Sequence, residues 1–416
     1  MRLLLWLYRL LAALVSLALL GLNLRLYHPG GAAYRAPALG PDTVAQLHGL
    51  RAALEAGAGA DMQQLFPEGY FFSYALYGLT WVEVGRRAAP ETALHAEALR
   101  EARWAWSRVD APAGRAVFSP QLTPPYGVFY AGWSTWLLGG LLTLQPESER
   151  NPLEVELFEQ ACAELAAAFD ASATPFLPAY PGQAWPVDSV VAMAALSLHD
   201  RLFTPAYAPT VDRWVRAAQA LVDPDTGLLP HQVQARTGQK LQGTRGSSQS
   251  VIARFLIEID PAWGRQQYAA FREQFLAPVL GVPGTREYPL GRNGAGDVDS
   301  GPLVAGFSAS ATVVTLGAAQ VHGDAAVVDA LIPASEAVGL PVSWGGQKRY
   351  AFGVLPVGEA FLAWSKNASA WTAAPEPSPL PGLVDAHWRW PFHLAALALA
   401  ALAWAPEAVR ARLKAR

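Results

Sequence analysis

The stretch "ATPFLPAYPGQAWPVDSVVAMAALSLHDRL" (Ala173–Leu202) divides into two halves of opposite character. Its first half is a loop rich in proline, glycine and aromatics. Its second half, from Val187, is a helix-length run that is apolar on nearly every side, with Asp188 just inside its start. The next segment, "YAPTVDRWVRAAQALV" from Tyr207, puts its charges on one face. A helix with one charged face lies at a surface, whereas a helix apolar all round is surrounded by protein. The pair predicts one buried and one flanking helix, joined by a short turn and preceded by a long loop.

The same alternation runs along the chain. Amphipathic segments begin near Thr43, Glu91, Leu153, Tyr207, Pro261 and Asp324, and nearly uncharged ones near Tyr70, Gly127, Val187, Ser247, Gly301 and Gly353. The repeat of about 50–60 residues fits one helical hairpin with loops, a period typical of arrays and closed rings. No stretch sustains period-2 alternation, so strands are few. Long loops such as Ala111–Pro125 and Asp223–Thr244 lead from each flanking helix to the next buried one. The expectation is an all-α (α/α)6 toroid over residues 30–374, with its long loops and inner-helix N-termini gathered at one mouth. Loops held by a rigid scaffold carry function.

The two ends differ from the body. "MRLLLWLYRLLAALVSLALLGLNLRL" places Arg2 and Arg9 before an apolar run. With Leu3–Tyr8 it approaches the ~20 residues that a bilayer needs. A cleaved signal peptide also fits, but no small-x-small cleavage site follows, which favours a retained anchor over 1–28. A Pro-rich linker over 375–386 precedes "WPFHLAALALAALAWAP" and the tail with Arg410, Arg412, Lys414 and Arg416. The segment 387–416 reads as a membrane-associated helix, either spanning or lying at the interface. The positive-inside rule puts its basic end in the cytoplasm, and the main domain on the extracytoplasmic side of the cell membrane.

Composition agrees with a membrane-linked chain. Of 416 residues, 52% are hydrophobic and 16% charged, against roughly a quarter charged in ordinary soluble domains. The net charge of −3, with no basic block, speaks against nucleic acid as a partner. One cysteine, Cys162, excludes an internal disulfide and a multi-cysteine zinc site, and its alanine-rich surroundings read as a buried thiol. No histidine pair has metal-ligand spacing, so neither a metal nor a cofactor is expected.

The polar residues at the mouth are the candidates. They are Glu68 and Tyr70; Tyr126 and Tyr130; Tyr180, Gln183, Trp185 and Asp188; His231, Arg245 and Gln249; Asp297 and Asp299; and, in the sixth loop, Trp344, Tyr350 and Glu359. Asp188 follows a tyrosine and a tryptophan, the pairing of stacking surface and proton donor that a sugar site uses. Its plain alternative is a helix cap. In "GRNGAGDVDSGP" (Gly291–Pro302), Asp299 or Ser300 reads as the N-cap of a helix beginning at Gly301 and Pro302. Two caps are not needed there. Asp297 and Asp299 therefore also read as a pair with split pKa values, suited to acid/base work. An EF-hand is excluded by the missing closing glutamate.

The body resembles the six-hairpin glycosidase superfamily. "GQAWPVDSVVAMAALSL" is similar to the region of the catalytic aspartate in unsaturated glucuronyl and rhamnogalacturonyl hydrolases, which implies a general-acid role for Asp188. The Pro-Val before a single aspartate departs from that pattern. A second resemblance is to linalool dehydratase/isomerase-like proteins, in which Tyr126, His231 and Asp299 would hold polar roles; the lone cysteine, in a flanking helix, departs from it. "DVDS" also resembles the D-x-D-D proton donor of class II terpene cyclases at Asp297 and Asp299 and departs from it at Ser300. The leading expectation is a membrane-anchored enzyme that cleaves glycosidic bonds of acidic sugars, with Asp188 as acid and Asp297 and Asp299 as base or orienter. The alternatives are a lyase or isomerase acting on an apolar alcohol, and a non-enzymatic envelope protein that binds a glycan or partner.

Overall fold

The computed structural model describes residues 2–279, 281–372, 384 and 387–415. The Pro-rich linker expected over 375–386 thus lies outside the described residues, Val384 apart.

The described chain is mostly helical. In order it forms α1 (Arg2–Arg25), α2 (Thr43–Glu55), α3 (Ala58–Leu65), α4 (Gly69–Arg87), α5 (Ala93–Val109), α6 (Pro112–Arg115), α7 (Gly127–Leu142) and α8 (Pro152–Ala171). There follow α9 (Pro186–Leu202), α10 (Ala208–Gln219), α11 (Gly246–Leu256), α12 (Pro261–Phe275), α13 (Ala309–Val321), α14 (Ala325–Val338), α15 (Pro356–Asn367) and α16 (Trp390–Ala415). The nearly uncharged segments become α4, α7, α9, α11, α13 and α15. Each packs on the next, and α15 packs on α4, so the series returns to its first member. The charged segments α2, α5, α8, α10, α12 and α14 flank them.

Small residues set how closely the buried helices approach. A Cβ on Gly132 of α7 would come within 3.0 Å of the Ala192 backbone in α9, so the two backbones nearly touch. Aromatic rings fill the space between helices that are not sequence neighbours. Trp133 of α7 lies 5.1 Å from Phe255 of α11 and 5.8 Å from Trp364 of α15. Phe72 of α4 lies 5.3 Å from Trp133 and 5.1 Å from Phe361. Burying each such ring contributes about 1.5–3 kcal/mol.

At the opposite end from the loops, the chain after α15 folds under the core. Trp371 stacks on Trp136 at 4.2 Å with planes 9° apart. Its indole donates to Glu83, and the amides of Trp371 and Thr372 donate to Glu258. Arg254 pairs with Glu258 and Arg87 with Glu83, so these buried carboxylates have their partners.

The loops that lead into buried helices carry the strands. One sheet joins β1 (Gln183–Ala184), β2 (Gln232–Gln234) and β3 (Lys240–Gln242). A second joins β4 (Leu276–Val279), β5 (Val282–Arg286) and β6 (Phe307–Ser308), and a hairpin pairs β7 (Val342–Trp344) with β8 (Gln347–Arg349).

One boundary departs from expectation. The fifth buried helix starts at Ala309, not Gly301, and its N-cap is Ser308, whose Oγ accepts from the Ala311 amide. Asp299 and Ser300 therefore cap no helix. Gly301, Ala305 and Gly306 all have positive φ, turning the chain back so that Phe307 and Ser308 pair with β5 before the helix begins.

The helices α1 and α16 are long and apolar enough to cross a membrane. They pack against each other in antiparallel fashion: Tyr8 donates to the Ala403 carbonyl, Trp404 to Ser16 Oγ (3.0 Å), and His393 meets Asn23 (2.6 Å). Their 24 and 26 residues reach roughly 36–39 Å, beyond the ~30 Å hydrocarbon core of a bilayer. Leucines cover their exposed faces.

Candidate active site

Asp188 sits in the first turn of α9 without serving as its cap. Trp185 occupies the cap position and offers no side-chain bond, Pro186 opens the helix, and the Asp188 amide donates to the Trp185 carbonyl at 3.1 Å. Ser189 is also taken, since its Oγ accepts from the Leu177 amide at 3.1 Å. The Asp188 side chain is buried, and no hydrogen bond reaches its carboxyl among the described residues. Burying an ionised carboxylate without donors is costly. Burial, followed by the nearby charges of Asp299 and Glu68, raises its pKa well above the ordinary carboxylate value, which favours the protonated form.

Aromatics flank it. The Tyr180 hydroxyl donates to Glu68 Oε1, and its ring meets Trp185 edge-on at 5.9 Å and stacks on Phe118 at 6.0 Å. Burial and the adjacent Glu68 hold the Tyr180 phenol protonated far beyond its ordinary range. Tyr180 and Glu68 thus tie the third loop to the start of α4.

The fifth loop brings the other acids. Asp297 accepts from the amides of Asp299 (3.1 Å) and Ser300 (3.0 Å), and the Asp297 amide donates to Ser300 Oγ (2.9 Å). The Arg245 guanidinium, from the fourth loop, donates to Asp297 Oδ2 and, through Nε at 2.8 Å, to the buried Glu287. Burial alone would raise the Asp297 pKa, but the Ser300 bonds and the Arg245 charge lower it, so Asp297 is ionised. Asp299 is exposed on the surface of the loop. Even so, desolvation by the neighbouring loops, with the charges of Asp297 and Glu68, pushes its carboxyl up to about 7. The two acids of this loop therefore differ in how tightly they hold a proton: Arg245 bonds directly to Asp297 and reaches Asp299 only through its charge.

His231 is buried behind them. Its Nδ1 meets Ser248 Oγ at 2.6 Å, and burial, with Arg245 nearby, lowers its pKa to about 4. It is neutral at physiological pH. One donor atom each from His231, Asp297 and Asp299 fall within 4.8 Å of one another, close enough to share a cation. No sequence spacing foretold this trio, because the histidine comes from a different loop. Arg245 already sets a positive charge on Asp297. A wide-open depression of about 380 Å³ with mixed polar and apolar walls lies beside Asp297, lined by Leu65, Phe66, Gly296, Asp297, Val298, Gly301 and Pro302; neither Asp188 nor Asp299 is part of its lining.

The remaining candidates fall into other places. Tyr70 packs on Tyr74 at 4.7 Å, Gln183 is exposed in β1 opposite Gln234, and Gln249 is buried, donating to the Leu229 carbonyl at 2.6 Å. Tyr126 caps α7 in a left-handed conformation (φ 67°). With Tyr130 it lines a separate depression of about 200 Å³ between α5, α7 and α8. There Arg115 donates to the Tyr130 hydroxyl at 2.9 Å and pairs with Asp110. Tyr350 lies in a charged cluster with Asp42, Glu336, Lys348 and Lys366, and Glu359 is paired with Arg349 at 2.9 Å. Trp344 is fully extended to solvent at the β7–β8 turn. Lys240 of the fourth loop is held by Asp223 at 2.8 Å.

Glu287, Ser248 and Phe118 were not among the sequence candidates. Glu287 stands in a loop like any other acid, and only the fold shows that Arg245 and Ser247 converge on it. Comparison with protein-family models finds no match for this chain, and a search of curated proteins finds none either.

Proposed function

We propose that the protein is a membrane-anchored glycoside hydrolase built on an (α/α)6 toroid of the six-hairpin kind, with its loops and acids on the extracytoplasmic side. The cyclic packing of the six buried helices supports the toroid. The observation that carries the activity is the pairing of two neighbouring acids: Asp188, buried, without a hydrogen-bond partner among the described residues and shifted toward its protonated form, and Asp299, shifted up to about 7. That is the division of labour glycoside hydrolysis requires. Asp188 donates its proton to the oxygen of the breaking glycosidic bond. Asp299 takes a proton from water, whose oxygen bonds to the sugar carbon. Asp297, fixed by Arg245 and the Ser300 turn, orients Asp299 and does not take the proton itself. Tyr180 and Trp185 offer ring faces to the sugar.

A second reading rests on the apolar lining around Leu65, Phe66, Val298 and Pro302. It suits a dehydratase or isomerase that protonates an apolar alcohol through Asp299. A screen of oligosaccharides, acidic ones included, against terpenoid alcohols separates the two. Hydrolysis of a glycan that is lost in both Asp188→Asn and Asp299→Asn supports the hydrolase. Turnover of alcohols alone replaces it with the second reading, and unchanged glycan hydrolysis in both variants removes the site assignment.

A further inference from the structure

Exposed apolar side chains on the body are not scattered. Leu153 apart, every large one exposed among the described residues of the body lies on a connection leading into a buried helix, or on the helix end that begins one. Val298 and Val304 come from the acid-bearing loop, and Phe352 and Val354 from the loop before α15. Trp344 is 87% exposed. It is held out by the turn at Gly345 and Gly346, both with positive φ. Clustered exposed apolar surface marks a contact with a partner or a membrane.

The membrane helices reach the body at this same end. Arg25, closing α1, donates to the Pro341 carbonyl at 2.9 Å, just before β7. The chain leading into α16 lies against the β4–β5 turn, where a Cβ on Gly281 would meet the Trp388 carbonyl oxygen at 2.7 Å. Arg389 stacks on Trp388 at 4.3 Å and on Tyr27 at 5.1 Å. Together with Trp390 they make the aromatic and cationic belt found at headgroup level. The helix pair thus meets the body beside β7 and the β4–β5 turn, the connections that carry Val279, Leu340, Val342 and Trp344 of the exposed apolar rim.

We propose that this rim, led by Trp344, rests in the lipid surface and holds the acid site against the bilayer, so that the substrate is a glycan carried on a lipid. The proposal rests on the hydrolase reading and on α1 and α16 as membrane spans. Apolar side chains at the tips of loops partition into the headgroup–acyl boundary as the apolar face of an interfacial helix does. The depression beside Asp297, walled by Leu65, Phe66, Val298 and Pro302, suits a sugar joined to an apolar tail better than a free, fully hydrated glycan.

The test uses the full chain in lipid nanodiscs. In a Cys162→Ala background, an environment-sensitive fluorophore is placed at Trp344→Cys or, as the far-end control, at Leu153→Cys. Nitroxide lipids with a shallow spin label should quench the first about threefold more than the second, as interfacial insertion implies. Equal quenching overturns the rim's contact with lipid. A blue-shifted label without nitroxide quenching also overturns it, and puts a second copy of the chain on the rim. A second arm compares lipid-carried with free oligosaccharide. The double variant Trp344→Ser, Phe352→Ser should lose about tenfold in kcat/KM on the lipid-carried substrate alone, a loss of binding in an apolar contact. Equal wild-type rates on both substrates overturn the substrate class. If the wild type cleaves neither, the hydrolase reading fails, while quenching still judges the rim.

Discussion

Two clusters in this protein bring carboxylates and a histidine within reach of one another, and they differ in what neutralises them. In the first, Asp42 and Glu336 share Lys348 and Lys366, and Tyr34 and Tyr350 donate to them. Burial would raise both acids, but the lysines hold both below the usual range, and the sum of charges is near zero. In the second, Arg245 pairs with Glu287 and Asp297, Asp299 feels its charge, and Asp188 and Glu68 lie next to Asp299. Among the described residues Asp188 and Asp299 form no ion pair, and both are shifted upward. A cluster whose charges cancel joins elements: here the strand after α14, the start of α2 and the end of α15. A cluster whose charges do not cancel stores protons that can be moved.

The largest expected effect bears on the uncancelled cluster. On the hydrolase reading proposed above, Asp188→Asn should lower glycan turnover by about 10²–10⁴-fold, the range for losing a general acid, with the fold intact by circular dichroism. In the cancelled cluster the same kind of change should strike stability instead. Lys366→Met leaves buried carboxylates with one cation fewer and should cost about 3–5 kcal/mol in denaturant unfolding. If Lys366→Met spared stability and Asp188→Asn lowered it by as much, the contrast between the clusters would be broken.

Smaller effects sharpen it through pH. Asp299 titrates near 7 in the folded chain, above the ordinary carboxylate value of about 3.9. The folded state therefore binds the proton more tightly than the unfolded one. Its stabilising contribution is full below about pH 4 and is lost as pH rises through about 7. Asp299→Asn should accordingly raise the melting temperature by about 2–4 °C at pH 8 and change it little at pH 4. If Asp299 is the base proposed above, it must be ionised, so activity should fall as pH drops below about 7. Arg245→Gln removes a charge that holds both aspartates down, so the acidic limb of the pH–rate profile should move to higher pH. The smallest effect tests the corrected helix start: Ser308→Ala should cost about 1 kcal/mol, and Ser300→Ala should lack that capping loss.

The alternation of charged and uncharged helices was legible because burial imposes it on every turn, as α7 illustrates with nearly all its residues buried. The start of α13 was not. Glycine followed by proline imitates a helix opening, and nothing local reveals that Gly301, Ala305 and Gly306 turn the chain into a strand first. Asp188 stood out through its aromatic neighbours. That no hydrogen bond reaches it among the described residues, and that Arg245 bonds to Asp297 and not to Asp299, are facts of three dimensions. The companions of Tyr350 were equally hidden, since Asp42 and Lys366 come from opposite ends of the body.

The contact between Trp136 and Trp371 has an optical consequence. Two indoles stacked 4.2 Å apart couple their excited states, which yields a paired positive and negative band in circular dichroism. Trp371 follows the last buried helix, and Trp136 belongs to the second buried helix. The couplet therefore reports, without any label, whether the segment after α15 is seated against α7. It should vanish in Trp371→Phe while the far-ultraviolet helix signal remains.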